Sequence, residues 1–447
     1  HLGNGIYSFD KERQSLPMDL PRFTAVIPEG RAWIVPQKNS WMICNAIAII
    51  SPDNYLLADV SREYPGSLPG CQRHDASKHR VLNLEEFPAL EQIDGTVAVL
   101  SGLSGNVYFH WLVDILPRLD ILHSSGIKWE EIDYFLINSL AQPFQRETLA
   151  WLGIPEAKII ESDRHPHIQA KQLIVPSFPG HLGWLQPQAL QFLRREFLGK
   201  NPPTPSSYPE RIYISRAKAR YRRVINEAEV IEFLTQFGFQ VIETESLSFL
   251  AQIAVFERAK IIVAPHGSGL TNIIFCRSGT QVIELVSPHY VRPYYWVISQ
   301  MLGLEHYYLT GEVFACYPLR ELMYQNPLTE DIQVSLSQLS AMMKIAGIIK
   351  SNPSEARPTT MPTSVQPETA LLQLHRQAEV YLAEGNLEAA EAACRQAVKI
   401  QPQSAAAWKI LGNIRQAKGL IEEARQCYMK AIELQPNFAA AYANLGS

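Results

Sequence analysis

Cysteine pairs, long apolar runs and surplus positive charge are all scarce in this sequence, and each shortage excludes a class of protein. The six cysteines among 447 residues (Cys44, Cys71, Cys276, Cys316, Cys394 and Cys427) lie far apart with no CxxC pair. That spacing argues against a structural zinc site or a dense disulfide framework, and it fits a reducing cytoplasm. The longest apolar run, Trp41 to Ile50, is interrupted by Asn45 and reaches about half of the roughly 20 residues that a membrane-spanning helix needs. It reads as a core strand, and no transmembrane segment is expected. Charged residues make up 19% and the formal net charge is -4. The clustered cation that a phosphate backbone demands is missing, so no nucleic-acid partner is expected and any positive site must be local. No positively charged, apolar leader follows His1, so the sequence reads either as trimmed at its start or as a fragment.

With hydrophobic residues at 47%, a chain of this length predicts two or three domains, each burying its own core. The clearest boundary is a linker over 351–368, where proline, serine and threonine crowd together with little to bury. Beyond it, over 369–447, Gly385 and Gly419, Ala390 and Ala424, Ala397 and Ala431, and Pro402 and Pro436 each stand 34 apart. Tyr442, Leu445 and Gly446 repeat Trp408, Leu411 and Gly412 at the same offset. This pattern resembles tetratricopeptide (TPR) repeats, in which small residues let paired helices approach and each repeat buries its face on the next. A partner-binding groove is the usual use; a spacer or dimerisation arm is the plainer one. The last repeat reads as truncated. A softer boundary near Asn201 to Pro209 divides the remainder into halves over 1–200 and 201–350.

From Arg211 the pattern alternates. A strand over 212–214 precedes a helix with Val230, Ile231, Leu234 and Phe237 on one face, ended by Gly238. A strand over 239–242, a helix over 249–258, and strands over 261–264 and 282–286 follow. Such alternation implies a parallel, doubly wound sheet, whose ligands sit beyond the carboxyl ends of its strands. After the first strand come Arg216, Lys218, Arg220, Arg222 and Arg223 within nine residues. Arginine's planar fork matches phosphate oxygens two at a time, so this segment reads as a diphosphate clamp, against the plainer reading of a solvated basic loop. Asn226, with Glu229 three residues on, reads as a helix-starting cap. After the third strand comes Pro265-His266-Gly267-Ser268-Gly269-Leu270-Thr271-Asn272. Gly267 and Gly269 let backbone N–H groups approach an anion at a helix start, and His266 or Thr271 can add donors. Glu284, in the fourth strand, reads either as an acceptor for ribose hydroxyls or as a cap on the sheet edge.

In the first half, 106–119 reads as a helix near a strand over 97–100. His110, Asp114 and Arg118 recur every four residues and so share one face among Trp111, Leu112, Ile115 and Leu116. Charged groups are rarely placed there unless paired or lining a cleft. The stripe is either a His–Asp–Arg network locking the helix, or the place where His110 or Asp114 deprotonates an acceptor hydroxyl as general base. Strands over 134–137 and 173–175 make this half α/β as well. His165 and His167, separated by Pro166, read as a surface loop with no further metal ligands nearby.

Three segments, His110 to Arg118, Ser215 to Glu227 and Pro265 to Asn272, together resemble glycosyltransferase family 61. Its members carry His-Trp-Leu-x-Asp-x-Leu-Pro-Arg, Ser-Arg-x-x-Ala-Arg-x-Arg-Arg-x-x-Asn-Glu and Pro-His-Gly-x-x-Leu-Thr-Asn in that order, and here they span about 105–286. Ser268 and Gly269 stand where residues such as alanine are common in the family. The resemblance implies a GT-B pair of Rossmann-type domains, with nucleotide sugar on the second half, acceptor on the first, and inversion at the anomeric carbon. It implies that Arg216, Arg220, Arg222 and Arg223 hold the diphosphate, that His266, Gly267, Thr271 and Asn272 line the nucleotide pocket, and that His110 and Asp114 face the acceptor. No Asp-x-Asp pair occurs, so arginines and a helix dipole are expected to replace a metal, with no cofactor beyond the nucleotide-diphosphate sugar. The expectation is a hexosyl- or pentosyltransferase of bacterial style, cytoplasmic or membrane-peripheral. It would act on a polysaccharide or protein hydroxyl, with the repeats recruiting a partner or acceptor. An NAD-dependent oxidoreductase is the rival enzyme, but its glycine fingerprint belongs to the first strand–helix unit, where this chain carries arginines. A non-catalytic scaffold built on a degenerate transferase core is the other alternative.

Overall fold

The computed structural model describes residues 6–7, 21–37, 46–64, 76–199, 208–313, 320, 322–324, 326–349, 374, 377–378, 381–382 and 386–434. The first half of the 41–50 run, the 351–368 linker, the proline cluster over 201–207, Cys44, Cys71, Cys316, Gly385, Pro436, Tyr442, Leu445 and Gly446 lie outside them. The chain divides into two units, His1–Ser351 and Asn352–Ser447. No described helix is long and apolar enough to cross a membrane.

The first unit holds two sheets. A short strand, β1 (Ile6–Tyr7), joins the second sheet, while β2 (Thr24–Pro28), β3 (Arg31–Ile34), β4 (Ala46–Ile50), β5 (Arg62–Glu63), β6 (Glu91–Val99), β7 (Tyr134–Ile137), β8 (Ile159–Glu161) and β9 (His167–Pro176) form the first. Its order is β5-β4-β3-β9-β6-β7-β8, with β2 also on β9. Four neighbours, β9, β6, β7 and β8, run parallel, and the other pairs are antiparallel. The second sheet adds β10 (Arg211–Ile214), β11 (Gln240–Ile242), β12 (Ile261–Pro265), β13 (Gln281–Val286) and β14 (Glu305–Thr310), in the order β1-β14-β13-β12-β10-β11. All pairs there are parallel except β1 with β14. Every residue of β12 is buried, as a central parallel strand covered on both faces requires.

The helices are α1 (Tyr108–His110), α2 (Pro117–Ser124), α3 (Pro143–Trp151), α4 (Pro187–Phe197), α5 (Glu227–Thr235), α6 (Phe249–Arg258), α7 (Tyr294–Leu302) and α8 (Leu336–Ile345). Three of them open on proline, whose fixed φ and missing N–H suit a first turn. Gly238, at φ +78°, supplies the left-handed turn after α5 that other residues adopt only with strain. One apolar core joins the two sheets: Leu112, Leu116, Phe135 and Phe197 pack in the same cluster as Ile212, Phe249, Ile262 and Phe275.

Two sequence expectations are corrected here. Asn226 does stand at the N-cap of α5, and its Nδ2 donates to Glu229 Oε2 at 3.2 Å, but it makes no capping bond to the helix backbone. Its amide is stitched to Val334, donating to O at 2.9 Å and accepting from N at 3.0 Å. His167 is not on a surface loop: it begins β9, is buried, stacks on Phe87 at 4.9 Å, and bonds Pro88 O through Nδ1 at 2.9 Å. His165 is the exposed one, paired with Glu91.

In the second unit, α9 (Leu387–Ile400), α10 (Ala405–Ala417) and α11 (Ile421–Leu434) pack through small buried residues, among them Ala390, Ala393, Ala407 and Ala424. Asn386 and Ser404 cap the first two by accepting from Ala389 N and Ala407 N, both at 3.2 Å. A Cβ on Gly412 would lie 2.3 Å from Tyr428 Cε1. That ring is buried, and its hydroxyl is tethered to Asn413 and Gln416. Gly412→Ala gains about 1 kcal/mol of helix propensity and loses about 1–3 kcal/mol to overpacking. The clash is severe, so a net loss of about 1–2 kcal/mol is expected as a lower urea midpoint for the repeat unit. An unchanged midpoint would mean that the ring yields freely.

Candidate functional site

In an open α/β sheet, the crevice lies where neighbouring strands lead their connections to opposite sides. In the second sheet that point falls between β10 and β12, and in the first between β6 and β9. The arginine segment follows β10, the His266 turn follows β12, the helix bearing His110 follows β6, and the segment 177–186 follows β9. Motifs far apart in sequence are thereby gathered at two crevices.

At the second sheet, Glu284 sits inside central β13, not at a sheet edge, and is buried. His266 Nδ1–H donates to Glu284 Oε1, and His306 Nε2–H donates to Oε2 at 3.0 Å, while Ser299 bonds His306 Nδ1 at 2.8 Å. Burial pushes the Glu284 carboxyl up, but His266 and His306 more than offset this and hold it down to about 2. Burial pushes His266 below the ordinary imidazole range, against the pull of Glu284. Glu284 is thus an ionised carboxylate held by two imidazole N–H donors.

The turn so fixed receives the arginines. Arg222 Nε donates to His266 O at 3.2 Å and Nη1 to Leu328 O at 3.0 Å, with its guanidinium over the Tyr221 and Tyr290 rings. Arg216 donates from Nε to Arg222 O at 3.3 Å and from Nη2 to Tyr221 O at 3.1 Å. Its Nη1 would lie 1.9 Å from a Cβ on Gly267, so only glycine admits it. Burial lowers the Arg216 guanidinium. Arg223 is paired with Asp331 at 2.9 Å, whereas Arg220 is exposed and has no hydrogen bond to any described residue. Gly269 lies against Thr244, where a Cβ would meet Oγ1 at 2.9 Å. Thr271 and Asn272 are fully enclosed.

At the first sheet, His110 and Asp114 do meet, Nδ1 to Oδ2, at 2.6 Å. Gly183 N donates to both Asp114 oxygens, at 3.1 and 3.2 Å, so the carboxylate is occupied. His110 Nε2 has no partner among the described residues. Arg118 does not join them, and the expected three-residue stripe is corrected. The helix widens to a π turn over Trp111–Ile115, closed by Leu116 N to Trp111 O at 3.0 Å, which shifts every later residue around the axis. Arg118 instead donates to Ser101 O at 2.8 Å and Pro176 O at 2.6 Å, tying the ends of β6 and β9. Arg62, which sequence reasoning missed, is the cation that feels the Asp114 charge; it stacks 3.7 Å from the Phe178 ring, with Arg118 4.7 Å from the same ring. Burial lowers both guanidiniums, Arg62 to about 10 and Arg118 to about 9. Nothing in the two-residue strand β5 marked Arg62 out.

The crevices adjoin. Tyr108 O–H donates to Asn272 Oδ1 at 2.6 Å, and Asn272 Nδ2 to Gln252 Oε1 at 2.8 Å. Phe109 packs on Tyr294 and Tyr295, and the Tyr295 ring lies 5.1 Å from His266. One ring, Tyr295, therefore bridges Phe109, the neighbour of His110, to the glycine turn. A cavity of about 210 Å³ opens between Phe144 and Glu147 of α3 and Thr244, Glu245, Ser268 and Gly269 of the second sheet. Tyr108, Gln252, Tyr294 and Tyr295 also escaped the sequence reading; only the adjacency of Tyr108 to His110 hinted at any of them.

These features define an open α/β protein whose arginine loop and glycine turn meet at a switch point. Residues 108–283 match the family model described as Glycosyltransferase 61, and residues 374–404 and 412–447 match models for the tetratricopeptide and TPR repeat. The chain thus carries a glycosyltransferase 61 segment followed by TPR repeats. It is similar to a beta-1,2-xylosyltransferase of Arabidopsis thaliana, 29% identical over 98 residues, covering 19% of this chain and 18% of that protein. It is also similar to the EGF domain-specific O-linked N-acetylglucosamine transferase of Drosophila melanogaster, 33% identical over 76 residues, covering 16% of this chain and 14% of that protein. The chain spans less than a fifth of the length of either relative. Among solved structures, the first TPR of Spaghetti is 28% identical, covering 17% of this chain and 60% of that one at a TM-score of 0.17.

Glu284 generates a pH prediction. Its folded pKa is held below the unfolded value of about 4.3, so its stabilisation is complete above that pH and vanishes as pH falls towards about 2. Glu284→Gln is expected to cost about 3–5 kcal/mol near neutrality, the usual effect of breaking a buried pair. The difference from the parent protein should shrink as pH falls from about 4.5 to about 2. Urea unfolding of both proteins across that range measures it, and a constant difference would refute the low carboxyl.

Proposed function

We propose that this chain is an inverting glycosyltransferase, moving a sugar from a nucleotide-diphosphate sugar to a hydroxyl of a polysaccharide or protein acceptor. The observation that carries the reading is the meeting of the Arg216–Arg223 loop with the His266–Gly267 turn at one switch point, next to a His–Asp dyad with an unengaged Nε2. A GT-B arrangement, with donor on the second sheet and acceptor on the first, is part of the same reading. His110 is the base: Asp114 is occupied by Gly183 N–H and the imidazole, so it orients His110 and fixes its tautomer. The acceptor O–H gives its proton to His110 Nε2, and its oxygen attacks the anomeric carbon. The bond to the diphosphate breaks on the opposite face, and the departing charge falls to Arg220 and to the N–H groups that Arg216 and Arg222 do not use in their bonds to carbonyls. These cations take the place that a metal ion would have. The glycine turn follows the third strand of the parallel set, not the first, which favours a transferase over an NAD-dependent oxidoreductase. The repeats would recruit a partner or the acceptor.

Arg220 is exposed and unbonded, so Arg220→Ala leaves the fold intact. Calorimetric titration of nucleoside diphosphates and NAD(H) in EDTA should show a diphosphate binding and the variant weakening it by about 1.5–3 kcal/mol. Binding of NAD(H) alone, or of nothing, would refute the transferase reading. His110→Ala should leave that titration unchanged and lower kcat by roughly 100- to 10,000-fold; equal turnover would remove His110 as the base.

A further inference from the structure

Beside His110 lies a pair of rings that neither the dyad nor the arginine loop uses. The segment 177–186 is fixed from below by Arg62, which donates to Gly180 O, and by Asp114, which accepts from Gly183 N. Gly183 has φ +77°, and a Cβ there would lie 3.4 Å from His110 Cε1, 3.5 Å from Phe109 Cε1 and 3.7 Å from Tyr294 Cε1. The backbone just before Trp184 therefore abuts the imidazole. Trp184 then stands almost perpendicular to Tyr294, at 81° with centroids 6.0 Å apart, and Tyr294 leans on Phe109 at 37° and 5.5 Å. The result is a half-buried corner of two aromatic rings. Neither Trp184 Nε1 nor Tyr294 Oη makes a hydrogen bond to any described residue.

Apolar ring faces with unused polar edges fit one kind of ligand in particular. A pyranose has a C–H face that packs on an aromatic ring, and a rim of hydroxyls that needs donors and acceptors. The indole offers a donor and the phenol both functions. A serine or threonine side chain has one hydroxyl and no such face. We propose that Trp184 and Tyr294 form an acceptor subsite for a sugar ring, placing one of its hydroxyls at His110 Nε2. This rests on the transferase reading above and deepens it, choosing carbohydrate over protein as the acceptor.

The test uses the full chain, titrated by tryptophan fluorescence and ligand-observed NMR with methyl glycosides of common pyranoses, and with a serine/threonine-rich peptide. Nucleoside diphosphate binding is measured alongside in every protein. At least one glycoside should bind, with saturation transfer strongest at its ring C–H protons. Trp184→Ala should weaken it about tenfold or more, as loss of a stacking ring predicts. Trp184→Phe, which keeps a ring, should restore most of the affinity, and Tyr294→Phe should lose only a phenol hydrogen bond. All variants should bind the nucleoside diphosphate as the parent does, which also reports their folding. Saturation by the peptide but by no glycoside would overturn the inference and leave the transferase reading standing, as would glycoside binding indifferent to both rings. Glycoside binding through Trp184 in a chain that binds no nucleoside diphosphate would uphold the sugar subsite and overturn the transferase.

Discussion

Glu284 lies in the middle of β13 beside the wholly buried, apolar strand β12, and an ionised carboxylate left alone there would cost several kcal/mol. His266 and His306 remove that cost by donating to its two oxygens, and in doing so they orient the turn after β12. With the His266 ring fixed, its carbonyl is set to accept from Arg222, and Gly267 leaves room for the Arg216 guanidinium. Tyr295 O–H closes the turn on Gly267 O at 2.7 Å. Loss of the carboxylate would thus loosen the turn it holds through His266 and, through the turn, arginines with which it makes no hydrogen bond.

The first sheet solves a similar problem with the opposite sign. Arg62 and Arg118 bring two buried cations to the crevice with Asp114 as the near carboxylate, and both are accommodated by carbonyl acceptors and by the Phe178 ring. Arg118 joins the ends of β6 and β9, so the strands that frame the crevice cannot spread without breaking charge-assisted bonds. Across the sheets, Glu147 accepts from Phe249 N at 2.5 Å, and Arg194 donates to Ile274 O and Cys276 O. Polar ties of this kind, laid over a shared apolar core, set the spacing of the two crevices by packing rather than by a linker.

What the sequence disclosed was local. The alternation from Arg211 to Val286 marked the parallel strands and helices of the second half nearly residue by residue, because β12 is a continuous apolar run and β13 is apolar from Val282 to Val286 apart from Glu284. The 34-residue spacing disclosed the repeats, and the four-residue spacing placed His110 beside Asp114. It failed at Arg118 because a π turn leaves no mark in the pattern of apolar residues, and at the backbone cap of Asn226 because the competing donor, the Val334 N–H, lies 108 positions away. The same distance hid the pairing of Arg223 with Asp331. A spacing rule assumes regular geometry and near neighbours, and these residues have neither.

The arginine loop shows what such long-range contacts accomplish. Five cations within eight residues repel one another, and an open loop would hold them apart in many conformations. Here Arg216 is bound to the carbonyls of Tyr221 and Arg222, Arg222 takes a left-handed φ of +53° against its own preference, and the strand-like contact of Val224 with Ile332 pins the far end. The conformational entropy of collecting positive charge is therefore spent on folding, before any anion arrives. Arg220 is exposed and bonded to no described residue, in a loop whose other cations, Arg216, Lys218, Arg222 and Arg223, are held by bonds to the fold. An anion binding there gains from charges already oriented, and Leu328 O, which accepts from Arg222 Nη1, is part of the cause although it lies 106 residues away.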